Sequence, residues 1–412
     1  MTDCTPITQC LACGGHDLIP TLDLGDSPLA NNFRESAYNL NEKRYPLAIN
    51  RCVDCDHLQL THAVDPKLIY THYLYVSGTS GTYLDYMKWY ASFVHETLTT
   101  YTNRMGPFTV LDIGCNDGSQ LNAFKYLLFR THGVDPAENL HEKSSAFHNV
   151  VCGFWNADSA SKLGIKKFDV ITTQNSFAHI PDPLSYLQLA NEYLAADGKI
   201  FISTSQADMV LNGEFDTIYH EHISYYNAES MSHLAERAGL HLIDVVKTPI
   251  HGTSYIFVLG KSPLNTSRID NILTLEANLH NDATYTKWAN GVQQLIVDLQ
   301  KTINGYKKQG YKLVGYGAAA KGMTLLNASG IQLDAVIDDN PLKVGLWCPG
   351  TMIPVVNSNY INELEDDDKV VFIPLAWNFY DEIVKKIRAI RNNKDDMFIK
   401  YFPNITHEFF LK

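Results

Sequence analysis

The chain lacks any long apolar run. No stretch approaches the roughly 18 apolar residues that a membrane span needs, so no spanning helix is expected. The start, MTDCTPITQC, has no basic region followed by an apolar one. No signal peptide is read there, and the expected location is the cytoplasm. Cations are scarce: 33 Lys and Arg stand against 45 Asp and Glu, a net charge of −12. That argues against a nucleic-acid partner, which needs a basic face, but leaves room for a local basic pocket that holds a diphosphate. No repeat at a solenoid period and no low-complexity tract occurs. The cysteines number 8, and in a cytosolic chain they do not predict a disulfide framework.

What is present is an ordinary globular composition, 45% hydrophobic and 19% charged. A length of 412 residues exceeds one domain of roughly 100–200 residues. The segment to about Tyr70 has little helical periodicity. It holds paired cysteines, turn signals at Leu24-Gly25-Asp26 and Ser27-Pro28, and a strand-like run from Tyr45 to Ile49. Such a segment needs a staple. Cys10-x2-Cys13 and Cys52-x2-Cys55 supply one, since two such knuckles close a tetrahedral zinc site with no open position. The metal is therefore structural; a pair of redox dithiols is the alternative. Cys4 is left over, and Cys115, Cys152 and Cys348 read as small buried hydrophobes.

An aromatic stretch follows, in which Tyr86, Tyr90 and Phe93 fit one helix face. Strands are then expected at Thr109–Ile113, Thr131–Val134, Phe168–Thr173 and Lys199–Thr204, with helical segments between them. The alternation predicts a doubly wound parallel sheet. His241–Lys247 and Tyr255–Leu259 have no helix between them and predict a terminal antiparallel hairpin. A linker at 260–265 leads to an amphipathic helix carrying Trp288, Val292, Leu295, Leu299, Ile303 and Tyr306, stopped by Gly310. Strands at Lys312–Gly315, Leu333–Ile337, Lys369–Pro374 and Met397–Tyr401 predict a second α/β domain. The segments are 1–72, 73–264 and 265–412.

Val110-Leu111-Asp112-Ile113-Gly114-Cys115-Asn116-Asp117-Gly118 joins a strand to a helix. Its glycine spacing is not the dinucleotide fingerprint G-x-G-x-x-G. Asp135 closes the next strand, where an acid can hold ribose hydroxyls. The pattern resembles the S-adenosylmethionine loop of class I methyltransferases. Gln174-Asn175-Ser176-Phe177-Ala178-His179 follows the third strand and should face the same crevice. The run Asp216-Thr217-Ile218-Tyr219-His220-Glu221-His222 crowds titratable groups after the fourth strand. Proton removal beside a ketone needs a base near neutrality, a carboxylate to orient it and a phenol to hold the enolate oxygen. Val314-Gly315-Tyr316-Gly317-Ala318-Ala319-Ala320-Lys321-Gly322 is a second glycine loop, with Asp338 about 20 residues on, as for a phosphate or a nicotinamide dinucleotide. Asn378 reads either as a site residue or as a helix cap.

The two knuckles, DIGCNDGSQL, QNSFAHIPD, YHEHISYY, HGTSYIFV and GYGAAAKGMTLLN occur in this order. Together they resemble the three-domain nucleotide-sugar C-methyltransferases. The resemblance implies a small zinc-binding domain, a class I methyltransferase domain and a Rossmann-like C-terminal domain. It implies S-adenosylmethionine as cofactor, structural Zn²⁺ and a nucleotide-diphosphate sugar as substrate. A base would remove a proton beside a 4-keto group, by analogy at carbon 3, and the enolate would attack the methyl donor. By resemblance His222 is the base, Glu221 supports it, Tyr219 polarises the ketone, and His179 and Tyr75 line the pocket. Asp112, Gly114, Asn116, Asp117, Gly118, Asp135, Gln174 and Asn175 would hold the cofactor. Lys321, Gly317, Asn378 and His251 would hold the substrate, although Thr253 replaces the second glycine of the family's HGGS turn. The competing readings are a zinc-bearing NAD-dependent sugar dehydrogenase and a non-enzymatic binding protein. A three-domain chain can bury its own cores as a monomer, with a homodimer as the alternative.

Overall fold

The computed structural model describes residues 3–38, 41–70, 76–79, 81–205, 208–248, 254–264 and 266–409. Tyr75 and His251 lie outside them. The chain forms two compact units, one of Met1–Ile19, Asn50–Asp208 and Ile223–His280, the other of Pro20–Ile49, Met209–His222 and Asn281–Lys412. This division cuts the chain differently from the segments 1–72, 73–264 and 265–412. The knuckles join the first α/β sheet, and the run that ends in His222 joins the C-terminal body. Hydrogen bonds explain the second assignment. Trp288 donates its indole N–H to the Glu214 carbonyl at 2.8 Å, and Thr324 donates its hydroxyl to the Ile218 carbonyl at 3.1 Å.

Short strands open the chain: β1 (Cys4–Pro6), β2 (Leu18–Ser27), β3 (Tyr45–Cys52), β4 (Leu58–Leu60) and β5 (His62–Val64). The strands β1 and β5 pair antiparallel, while β2 carries the chain out of the first unit and β3 brings it back. Leu24-Gly25-Asp26, expected as a turn, lies inside β2. Gly25 takes φ +77° there and donates its N–H to Asp23, so the local kink is absorbed by an extended strand.

The large sheet of the first unit contains β6 (Thr109–Ile113), β7 (Arg130–Asp135), β8 (Asn149–Cys152), β9 (Phe168–Gln174) and β10 (Leu194–Ser205). A two-residue strand, β11 (Ser224–Tyr225), pairs with β4. The hairpin β12 (His241–Thr248) and β13 (Ser254–Gly260) completes the sheet, in the order β12-β13-β10-β9-β6-β7-β8. Strands β6 to β10 are parallel, and the hairpin is antiparallel as expected. The sequence reading missed β8, whose four residues carry no clear period. It also placed Cys152 in a core. Cys152 is exposed at the end of this edge strand, whereas Cys115 and Cys348 are buried.

Both sheet faces are covered, which is why the central strands β6, β9 and β10 read as largely apolar runs. Val110, Val170, Phe201 and Ile256 face the helix Gly81–Thr102 through Tyr90, Val94 and Leu98. Their neighbours Leu111, Ile171, Ile200 and Phe257 point the other way, into a core with Leu187, Met231 and Leu234. Strand order reverses about β6. The ends of β6, β7 and β9 therefore border the crevice where doubly wound sheets hold ligands.

The second unit pairs the helix Asp282–Lys308 with a six-stranded sheet. Its strands are β14 (Lys312–Tyr316), β15 (Ala335–Ile337), β16 (Val355–Val356), β17 (Val370–Pro374), β18 (Met397–Lys400) and β19 (Thr406–Phe409). The order is β16-β15-β14-β17-β18-β19, parallel except for β19. Gly310 follows the long helix with φ +83°, the left-handed stop that its sequence position suggests. Among the described residues no helix is long and apolar enough to cross a membrane.

Candidate active site

Cys10, Cys13, Cys52 and Cys55 bring their sulfurs within 4.8 Å of one another. Cys10 and Cys55 lie 3.7 Å apart, and Cys13 and Cys52 3.5 Å. A tetrahedral zinc with Zn–S of about 2.3 Å separates its sulfurs by about 3.8 Å, so the set fits that ion. The knuckle is shaped for thiolates. The Cys13 N–H points at the Cys10 sulfur, and the Gly15 N–H at that of Cys13. Four cysteines fill the coordination shell, which gives the zinc a structural role and leaves no site for water.

The first glycine loop leaves β6 at Gly114 (φ +82°) and enters the helix Ser119–Tyr126 after Gly118 (φ +81°). A Cβ on Gly114 would stand 2.6 Å from the Ser176 hydroxyl, so only glycine makes the turn. Asp135, at the end of β7, clasps the loop. Its carboxylate accepts the N–H of Asn116 at 2.8 Å and of Ala137 at 2.9 Å. A carboxylate has about four acceptor sites, so lone pairs remain for ribose hydroxyls. Burial, with Asp135 beside it, pushes the Asp112 carboxyl up to about 8. Asp117 shapes the loop: it accepts the Ser119 N–H and pairs with Lys143 at 2.7 Å. At the end of β9, the Gln174 side-chain oxygen is buried with no hydrogen-bond partner among the described residues, and Asn175 donates to the Tyr83 hydroxyl at 3.1 Å. A glycine turn, a carboxylate with spare lone pairs and an orphaned acceptor fit the hydroxyl- and amine-bearing cofactor S-adenosylmethionine. The Ser77 N–H donates to the Asn116 side chain at 3.0 Å, so 76–79 reaches the same loop.

His179 ends a short helical turn, Phe177–His179. Tyr70 stacks on it, ring centroids 5.4 Å apart and planes at 10°. Burial pushes its imidazole down to about 4, so it is neutral near pH 7.

In the second unit His222 is buried, and its Nδ1 lies 3.0 Å from the Thr217 carbonyl. A carbonyl only accepts, so Nδ1 carries the proton and Nε2 presents its lone pair. The Tyr219 hydroxyl meets that Nε2 at 2.7 Å. Base and phenol thus converge on one point. Glu221 is buried, and the Asn31 amide donates to it at 2.6 Å. His220 plays a different part from its neighbours. It is buried, lies 3.2 Å from the Tyr45 carbonyl through Nε2, and is pushed down to about 4 by that burial. It is a neutral packing residue, and the sequence reading gave it no role in the run.

The second glycine loop repeats the construction of the first. Gly317 (φ +94°) donates its N–H to the end of β15, as Gly114 does to the end of β7. Asp338 accepts the N–H of Ala318 at 2.6 Å and of Asn340 at 2.8 Å. Lys321 lies over the Trp377 ring, 5.1 Å from its centroid. Asn378 does not cap the following helix, because Phe379 occupies that position. It sits half-buried in the turn Trp377–Phe379 beyond β17.

Sequence reasoning missed Asn31, Thr217 and Tyr70. Each is distant from the motifs or carries an ordinary side chain, and only folding reveals its contact. Thr217 alone had a signal, its place inside the titratable run.

Three family descriptions match successive stretches: a zinc binding domain over residues 10–70, a methyltransferase domain over 88–245, and the C-methyltransferase C-terminal domain over 249–403. With the loop geometry and the cysteine cluster they define an S-adenosylmethionine-dependent C-methyltransferase with a zinc-binding domain. The chain belongs to the three-domain C-methyltransferases that combine these parts. It is 27% identical over 403 residues to C-methyltransferase NovU of Streptomyces niveus, covering 94% of each chain. A shorter stretch of 116 residues is 29% identical to the ubiquinone biosynthesis O-methyltransferase of Haemophilus ducreyi, over 26% of this chain and 49% of that one. Among solved structures, the plantazolicin methyltransferase BpumL with SAH matches at a TM-score of 0.35 and 15% identity, over 43% of this chain and 85% of that one. The chain is thus an enzyme, and the non-enzymatic reading falls away.

Proposed function

We propose that the protein C-methylates a nucleotide-linked 4-keto-deoxysugar in the cytoplasm, at the carbon-3 position beside the ketone. The observation that carries this reading is the meeting of the Tyr219 hydroxyl with the unprotonated Nε2 of His222 at 2.7 Å. Removing a proton next to a carbonyl requires a base at the carbon and a donor at the oxygen, a bond or two apart. These two groups supply that pair. The Thr217 carbonyl keeps the tautomer, and the proton accepted at Nε2 makes an imidazolium whose Nδ1–H is already held. Tyr219, freed from Nε2 by the incoming carbon, donates to the enolate oxygen. Glu221, fixed by Asn31, lies in the same run, as the residue that supports the base. S-adenosylmethionine, when bound, supplies an electrophilic methyl group. Asp135 and Gln174 are the residues to hold it, and Lys321, Gly317 and Asn378 the residues to hold the sugar nucleotide.

Deuterium exchange tests the base without methyl transfer. In D₂O with S-adenosylhomocysteine, the wild type is expected to exchange carbon-3 hydrogen of a nucleoside-diphosphate 4-keto-6-deoxysugar. The variant His222→Asn should lose roughly 10²–10⁴-fold in that rate, the usual contribution of a general base. Undiminished exchange in that variant would remove His222 from the mechanism.

A further inference from the structure

The loop after β15, Asp338-Asp339-Asn340-Pro341-Leu342-Lys343, buries a cation that the proposed chemistry has not used. Lys343 is 9% exposed. Its ammonium donates to the Ala318 carbonyl of the second glycine loop at 2.7 Å, and the Phe33 ring covers it, 5.0 Å from nitrogen to centroid. An ammonium has three N–H donors. Only one is engaged among the described residues, and no carboxylate there comes within ion-pair distance. Asp338 and Glu221 act on it through space alone, and each Asp338 oxygen accepts one backbone N–H, from Ala318 and from Asn340. Burial accordingly pulls the ammonium below its ordinary range.

A buried cation is costly unless an anion meets it. The surroundings suit a phosphate. The helix Ala320–Ser329 begins at Ala319 with no side-chain cap among the described residues, and a helix N-terminus favours an anion. Gly317, at φ +94°, lets the backbone come close to a ligand.

We propose that Lys343 binds the phosphates of a nucleoside diphosphate at the second glycine loop, as a buried anchor beside the more accessible Lys321. This rests on the nucleotide-sugar reading above and adds a specific residue to it. The ammonium turns its two open donors to phosphate oxygens while keeping the Ala318 carbonyl, and the ligand completes a site that is otherwise half-satisfied.

Calorimetry on the full-length, zinc-loaded protein tests this with UDP, dTDP and uridine as probes, and with S-adenosylmethionine as the check on folding. The wild type is expected to bind a nucleoside diphosphate at least tenfold tighter than uridine. Lys343→Met should weaken that binding at least tenfold, and Lys343→Arg should recover part of it, with S-adenosylmethionine binding unchanged. Lys343→Gln keeps a donor for the Ala318 carbonyl without the charge, and should behave as Lys343→Met if the latter fails to fold. Diphosphate binding unaltered in either neutral variant would overturn the assignment while leaving the nucleotide-sugar reading intact. A wild type that binds uridine as tightly as UDP would also overturn it, whatever the variants do. A wild type that binds neither diphosphate would overturn both.

Discussion

Trp377 donates its indole N–H to the carboxylate of Asp216 at 2.8 Å, and Tyr401 donates its hydroxyl to the same oxygen at 2.8 Å. Asp216 is 2% exposed and lies three residues before Tyr219. One buried carboxylate therefore ties the reactive run to the turn on which Lys321 rests. Asp216→Ala would leave the half-buried Trp377 indole N–H without its acceptor, while the Tyr401 hydroxyl keeps the Leu375 carbonyl at 2.9 Å. The variant should unfold about 1–3 kcal/mol more easily in denaturant. Methyl transfer should fall even at temperatures where the fold persists, because Tyr219 and His222 lose their support. A melting curve like that of the wild type would show that the contact carries no such weight.

The turn at Gly114 predicts a separable loss. Alanine there must adopt φ +82° and bring its Cβ to 2.6 Å from the Ser176 hydroxyl. The conformational penalty alone is about 1–2 kcal/mol. Gly114→Ala should weaken S-adenosylmethionine binding at least tenfold by calorimetry. Zinc content and nucleoside-diphosphate binding should stay as they are.

How far the sequence could be read depended on the kind of signal. The parallel strands β6, β9 and β10 were legible because burial on both faces leaves largely apolar runs, whereas the mostly polar β7 was legible from its end at Asp135-Pro136. The four residues of β8 were not, since an edge strand with partly exposed side chains has no such run. The knuckles were legible as spacing. Cys152 was misplaced because a lone cysteine carries no pattern. In the reactive run, Tyr219 and His222 stood out as residue types. Residue type did not distinguish His220, which faces the Tyr45 carbonyl, from His222, which faces Tyr219; only the family resemblance did. That difference is set by a contact 175 positions away in one case and three in the other. Asn31, which holds Glu221, lies 190 residues from it and was beyond any local pattern.

A pH effect follows from Glu276. The residue is buried, accepts the Ala228 N–H at 3.0 Å, and is pushed up to about 7 by that burial. An unfolded glutamate ionises near pH 4.3. Between about pH 4.3 and 7 the folded carboxyl keeps its proton while the unfolded one has lost it. Stability therefore declines as pH rises through that window and levels off above it. Glu276→Gln removes the decline. Relative to the wild type, its unfolding free energy should rise by about 1–3 kcal/mol between pH 5 and pH 8. Denaturant titrations at the two pH values check this, and parallel profiles would refute it.

The metal prediction concerns folding rather than turnover. Cys52→Ser removes one of four ligands and should lower bound zinc, read by atomic absorption, below one per chain. Its melting temperature should fall and become insensitive to added chelator. The wild type should lose stability when chelator is added. If metal-stripped wild type melted like the loaded protein, the zinc would have no structural role.

The path of the chain through its two units has a consequence for synthesis. Pro20–Ile49 belongs to the same unit as Asn281–Lys412. Emerging from a ribosome, that early segment must wait about 160 further residues for Met209–His222 and more than two hundred for Asn281–Lys412. The knuckles of Cys10–Cys13 and Cys52–Cys55 flank it on both sides. Once zinc joins them, the waiting segment is held as a closed loop whose ends cannot drift apart, and the entropy of that closure is met early. The ion then acts as a clasp in time, keeping an unfinished piece of the catalytic body in register until the last strands arrive.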